Sequence, residues 1–364
     1  MNKLTNLLNI VSLIALLSVP AFSFAGTGDG GEKKKNISKS YNVGGSDKLS
    51  IENSFGSVII NTWDKSEFKV DIEIYAKAKT DEQAQKILDK IKVDDSQSGG
   101  EVSFKTTVGN IGSKHNKNDG DDDDDDGGNS NHDSNGKDQE FHINYVVYMP
   151  STNPLKIINQ FGKTTVPDFK GNADITSKFG ELTAGNLDNV EQVDVEFGKG
   201  QIGNVHNGKV SFKFDGSSLV KNVSGSVKLN VEFSEAQFGV SDNIDELSLN
   251  NSYSSVNLIV TKNLSASFNI HNSFGDFNNK TDFTIKEQGD DDDDNNGPKF
   301  DKDWKGMAGD GKAKIKIKSS FGEVKLSHDF MKQSEEQKEH AEKKERKERK
   351  EKKEKKEKEE DNES

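Results

Sequence analysis

The sequence predicts an all-β chain: a parallel β-solenoid (β-helix-like) of about nine rungs with an N-terminal strand-and-helix cap. Three observations predict it. A Phe-Gly pair recurs at Phe55-Gly56, Phe161-Gly162, Phe179-Gly180, Phe197-Gly198, Phe274-Gly275 and Phe321-Gly322, with Phe214-Asp215, Phe233-Ser234 and Tyr253-Ser254 as degenerate copies. From Phe161 the aromatic returns after 18, 18, 17, 19, 20 and 21 residues, and self-similarity at such a period marks a stack of small units. Each copy also alternates apolar residues into the aromatic, as in Leu49, Ile51, Asn53, Phe55 and Leu247, Leu249, Asn251, Tyr253. Alternation of this kind belongs to a strand with one buried face.

At the amino end, Lys3 precedes an apolar stretch from Leu13 to Phe24, broken by Pro20 and closed by the small residues Ser23 and Ala25. Residues 1–25 therefore read as a secretory signal cleaved after Ala25. The stretch is shorter than the roughly 20 residues that span a bilayer, so no integral span is expected after its removal. The expected location is the periplasm, the cell envelope or the extracellular surface. Residues 26–40 are expected to form a flexible lead-in segment.

Residues 41–150 hold the first rung and the cap. Phe68, Val70, Ile72, Ile74 and Ala76 alternate as a strand, as do Val102, Phe104, Thr106 and Val108, and Ile143, Tyr145, Val147 and Met149. A helix is expected over Asp81–Lys92, opened by Thr80 with Gln83 three residues on, a capping-box spacing. Its apolar face is Ala84, Ile87, Leu88 and Ile91. A cap of this kind covers strand edges that would otherwise invite aggregation. Residues 111–138 contain the run Asp121 to Asp126 and read as a solvated loop.

Residues 151–330 carry the remaining rungs, each a strand, a bend and a second strand, with Gly expected to supply the backbone freedom at the bend. Identical parity predicts that the aromatics stack as an internal ladder in which Phe179, Phe197 and Phe214 are interior neighbours. On that reading Phe197→Ala costs about 3 to 5 kcal/mol. Two residues earlier, Asn53, Asn159, Ser177, Asn251, Asn272 and Ser319 alternate with Val195, Phe212 and Val231, and stacked amides can bond along the axis. A second Asp-rich loop, 288–311, holds Asp290 to Asp294; with it excised, the final step to Phe321 becomes an ordinary rung. Residues 331–364 form a Lys/Glu tail without an apolar stripe, helical in part or disordered. The competing architecture is a sandwich of antiparallel hairpins.

The run from Leu49 to Asp64 (LSIENSFGSVIINTWD), the strand and helix after it and the Phe-Gly rungs to Leu326 resemble the "putative adhesin" family of exported bacterial proteins, a domain of unknown function. The resemblance implies a parallel β-solenoid in the envelope or on the surface and transfers no catalytic residue. The two Asp-rich insertions and the charged tail depart from the family pattern.

Composition narrows the chemistry. With no cysteine, neither disulfides nor a lipid-modified cysteine is available. A formal charge of −13 repels nucleic acid. His115, His132, His142, His206, His271, His328 and His340 are scattered, none at metal-ligand spacing. No G-x-S-x-G elbow or phosphate-cradling loop occurs. The only arginines, Arg346 and Arg349, lie in the tail, which deprives the body of the two-pronged donor that anion sites favour. Six consecutive Asp cannot all face one ion, so the acidic runs read as spacers and not as calcium loops. The expectation is a non-enzyme with no catalytic, cofactor-binding or metal residues and no cofactor. It would be an adhesion or scaffold-type binder of an unknown envelope or surface component, protein or glycan. The alternatives are an envelope sensor or signalling partner and, with Lys and carboxylates alone, a β-helix polysaccharide lyase.

Overall fold

Alternating side chains fix the architecture strand by strand. The computed structural model describes residues 31–111, 139–289 and 300–329. The chain is all-β with one helix: among the described residues, 22 strands join into one continuous sheet of mixed parallel and antiparallel pairings. The expected signal 1–25, the runs Asp121–Asp126 and Asp290–Asp294, and the tail 331–364 lie outside the described residues.

The first part comprises β1 (Gly31–Asn42), β2 (Lys48–Asn53), β3 (Val58–Thr62), β4 (Glu67–Ala78), α1 (Asp81–Leu88), β5 (Ile91–Ser98), β6 (Glu101–Val108) and β7 (Glu140–Met149). Strand β4 buries every second residue, Phe68 to Ala78, and lies antiparallel between β1 and β7. Residues 31–40 of the expected flexible lead-in 26–40 are thus strand; Ile37 and Tyr41 pack on the core, and Lys39 between them is exposed. Helix α1 starts as expected, Thr80 Oγ1 accepting the Gln83 N–H at 3.3 Å. It ends at Leu88 instead of Lys92, because Ile91 is committed to β5, opposite Val108 of β6.

The second part begins with β8 (Leu155–Asn159), β9 (Thr164–Val166), β10 (Phe169–Lys178), β11 (Glu181–Ala184), β12 (Leu187–Glu196), β13 (Lys199–Lys213), β14 (Ser218–Glu232) and β15 (Glu235–Ser252). It continues with β16 (Ser255–Val260), β17 (Ala266–Ser273), β18 (Asp276–Asn279), β19 (Thr284–Glu287), β20 (Asp301–Ala308), β21 (Ala313–Ser320) and β22 (Glu323–Ser327). The pairings from β2 and β8 through β17 are parallel, unlike those of hairpins. They align one buried column: Ile51, Ile157, Ile175, Val193, Val210, Leu229, Leu249, Ile317 and Ile270. Burying such a side chain contributes roughly 1.5–3 kcal/mol, so each unit owes its core to its neighbours.

Two features depart from the sequence expectation. Residues 301–308, counted with the second acidic loop, form β20, which covers the last parallel strand β17 antiparallel and is itself partly covered by β19. Spatial order also differs from chain order: β21 lies between β15 and β17, parallel to both, and β22 lies between β16 and β18. The last unit therefore fills a slot between two earlier ones instead of extending the end of the stack.

Candidate interaction surface

The aromatic residue of each unit sits where one strand turns into the next. Phe179, Phe197, Phe214, Phe233, Tyr253, Phe274 and Phe321 all have φ between 48° and 54°, the left-handed region in which an L-residue carries a penalty of roughly 1–2 kcal/mol. Neighbouring strands hold them there. The amide of Phe179 donates to Glu196 O, Phe197 to Lys213 O, Phe214 to Glu232 O, Tyr253 to Ser320 O and Phe321 to Ser273 O, at 2.9–3.0 Å. That single positive φ breaks the in-out alternation and swings the ring outward.

The rings therefore stack, but on the outside. Centroid spacings are 4.8–5.2 Å through nine successive contacts from Phe55 via Phe161, Phe179, Phe197, Phe214, Phe233, Tyr253, Phe321 and Phe274 to Phe300, a path of about 45 Å. Between Phe179 and Phe274 the planes lie within 5° of parallel. Nine of the rings are 42–53% exposed. The internal ladder predicted for Phe179, Phe197 and Phe214 is thus an external one, and the core beside it is built by the residues two positions earlier.

The glycine after the aromatic has a different task from the one expected. Only Gly56 and Gly162 take positive φ; at Gly180 and Gly198 the requirement is close approach. A Cβ on Gly198 would stand 2.0 Å from Gly180 O, and one on Gly180 would stand 1.9 Å from Gly162 O. Where Ser replaces Gly, its hydroxyl joins the backbone ladder: Ser234 Oγ accepts the Asp215 amide and Ser254 Oγ accepts the Ser234 amide, both at 3.0 Å. Asp215, almost fully buried, receives the Ser218 hydroxyl, and its burial pushes its carboxyl above the usual value.

Charges line the ridge. Immediately before the aromatics come Lys178, Glu196, Lys213 and Glu232 on four consecutive units, with Lys178–Glu196 at 2.9 Å and Lys213–Glu196 at 3.9 Å. On the other flank Lys163 reaches Glu181 at 3.7 Å. Beneath the ridge the polar column partly pairs as expected: Asn53 Nδ2 donates to Asn159 Oδ1 at 3.3 Å and Asn251 Nδ2 to Ser319 Oγ at 3.0 Å. Its apolar members, Val195, Phe212 and Val231, are buried, and Phe212 fits because Gly200 faces it, where a Cβ would lie 2.7 Å from the ring.

The histidines stay apart. His142 stacks on Tyr75, His206 bonds Ser224 and His328 bonds Asp282; His115, His132 and His340, like both arginines, lie outside the described residues. Among the described residues no three His, Asp or Glu side chains converge on a metal position, and no helix is long and apolar enough to cross a membrane. His271 is more involved than a lone strand residue. Its Nδ1 lies 2.9 Å from Asp303 Oδ1 and its Nε2 3.3 Å from Ser273 Oγ, the connectivity of a hydrolase triad. The Ser273 hydroxyl, however, donates to Asp301 Oδ1 at 2.5 Å, and the following amide, Phe274 N–H, is bonded to Phe300 O at 2.9 Å. Neither a freed nucleophile nor that oxyanion donor is on offer.

No family model matches the chain, and no curated protein matches it. Among solved structures it is similar to a protein described as a putative adhesin from Bacteroides fragilis, with 9% identity, a TM-score of 0.38, and 80% of this chain and 97% of that one covered. It is also similar to one described as a putative cell adhesion protein from Clostridium sporogenes, with 11% identity, a TM-score of 0.22, and 81% and 99% covered. A likeness at these scores carries no argument by itself; both neighbours bear the adhesion description of the family that the Phe-Gly motifs resemble.

Proposed function

We propose that this chain is an exported, non-catalytic, adhesion-type scaffold. On this reading its nine-unit parallel stack is a β-solenoid, its amino-terminal strands and helix are the cap, and its aromatic ridge is the contact face for another envelope or surface component. The observation that carries the reading is energetic. Seven aromatic residues occupy a backbone conformation in which Gly or Asn is cheaper, yet each holds a half-exposed ring. Stacking returns about 0.5–1.5 kcal/mol per ring pair, enough to offset the strain but not to explain why an exposed column is aromatic along its whole length. Nine half-exposed rings present about 900 Å² of apolar surface at roughly 100 Å² each, above the roughly 300–600 Å² of the largest patch on an ordinary monomer. Surface of that extent marks a place where something docks.

The test is co-sedimentation of purified chain with intact bacterial envelopes. The comparison is a variant carrying Phe179→Asn, Phe197→Asn and Phe214→Asn, since Asn tolerates the left-handed backbone. The variant is expected to keep its melting temperature within a few degrees and to lose most binding. Equal binding by parent and variant would remove the ridge from consideration as the contact face.

A further inference from the structure

We infer that the aromatic ridge pairs with the ridge of a second copy of this chain, so that the protein self-associates through its stacked rings. The inference rests on the reading of the ridge as a contact face and names its partner.

The rings cover one another's faces, at centroid spacings of 4.8–5.1 Å and interplanar angles of 2–5° from Phe179 to Phe274. What they present outward is a row of apolar ring edges with a period near 4.9 Å. Flat docking of a sugar or a planar ligand needs a free ring face, which the interior of the column does not offer. A second stacked β-array has the matching period by construction, so its ring edges can meet these one for one. With a two-fold axis between the Phe197 and Phe214 units, seven of the nine exposed rings on each copy, from Phe161 to Phe321 along the ridge, face a ring of the second copy. At roughly 100 Å² each they supply about 700 Å², and the flanking charged side chains bring the contact toward the roughly 800 Å² per partner of a standard stable interface.

The charges select an arrangement. Lys178, Glu196, Lys213 and Glu232 alternate in sign on successive units. A two-fold axis passing between the Phe197 and Phe214 units sets Lys178 opposite Glu232 of the second copy and Glu196 opposite Lys213 of the second copy, giving four opposite-sign pairs by symmetry. An isologous interface requires this kind of self-complementarity. On the other flank the same register sets Glu181 against Glu235 of the second copy, two like pairs; within each copy Glu181 is engaged by Lys163 at 3.7 Å, as Glu196 is by Lys178 at 2.9 Å and by Lys213 at 3.9 Å. Opposite pairs outnumber like pairs two to one.

The experiment is sedimentation velocity of the purified chain over a range of concentrations, with the Phe197→Asn/Phe214→Asn double variant beside it. The parent is expected to dimerise, and the variant to raise the dissociation constant by about a hundredfold or more, as central aromatic contacts do, with an unchanged circular dichroism spectrum. Lys213→Glu should weaken the dimer, and Glu196→Lys added to it should restore it, because the swapped pair meets again across the axis. A parent that stays monomeric at every concentration, or a dimer indifferent to the Asn substitutions, overturns the inference. If the parent is monomeric but the Asn variants lose envelope binding, the contact-face reading stands and the second-copy inference alone fails; if envelope binding is also indifferent, both fail.

Discussion

Phe197 and Phe212 belong to neighbouring units and to opposite sides of the same wall. Phe212 is fully buried and stacks on Phe238 at 5.6 Å, whereas Phe197 is 47% exposed at φ 54°. Phe212→Ala should therefore cost about 3–5 kcal/mol, since a large side chain leaves the core. Phe197→Asn should change stability by no more than about 1 kcal/mol, because relief of backbone strain offsets lost stacking. Thermal unfolding of the two variants decides this, and similar losses would return the exposed column to the core. Period-two parity places both rings inside, and it fails at Phe197 because one positive φ, which composition does not announce, shifts the phase. The sequence does hold a clue: Phe212 and Phe214 lie two apart in one unit, and a wall with room for one interior Phe at this level must send the other outward. That seven aromatics share the conformation is the part no propensity scale anticipates, since bulky L-residues seldom adopt it.

Strands β21 and β22 close a slot between β15–β16 and β17–β18, so they support units on both sides, whereas an end unit supports only one. Ending the chain after Asp310 should therefore expose the ladder edges of β15 and β17 together and release β17 to β20. Units from β8 to β13 should keep their protection, because in a stack stability passes between nearest neighbours. Hydrogen exchange on the truncated chain measures this directly, and a peptide of residues 313–327 added in trans should restore protection to β17. Uniform loss of protection along the stack would show that the units do not act separately. The strands themselves, Ile315, Ile317 and Ser319 leading to Phe321, are legible from alternation alone. Their place is not, because identical parity lets a unit fit any gap of the same width. The choice is made by β20, whose antiparallel pairing with β17 occupies the outer edge where the last unit would otherwise have gone.

At the scale of the whole molecule the acidic insertions enter a body whose strands are anchored on both sides of them. Strand β6 ends at Val108 against β5, and β7 begins at Glu140 against β4, with Ile111 packed on the core just before the insertion. Loop-closure entropy varies only slowly with length, so deletion of Asp119 to Asn135 should leave the melting temperature of the body nearly unchanged. Calcium separates a spacer from a site. A specific site adds RT ln(1 + [L]/Kd) to stability, about 2.7 kcal/mol at a hundredfold excess over Kd, whereas screening of like charges acts through ionic strength alone. Melting of the full chain in millimolar calcium and in chelator, at matched ionic strength, should therefore give the same midpoint. A saturable rise that disappears when Asp290 to Asp294 are replaced by Ser would make calcium part of how this protein works. The six-residue run argues against that outcome, because a defined calcium loop needs turn residues between its ligands so that successive carboxylates can converge on one ion, and Asp121 to Asp126 has none.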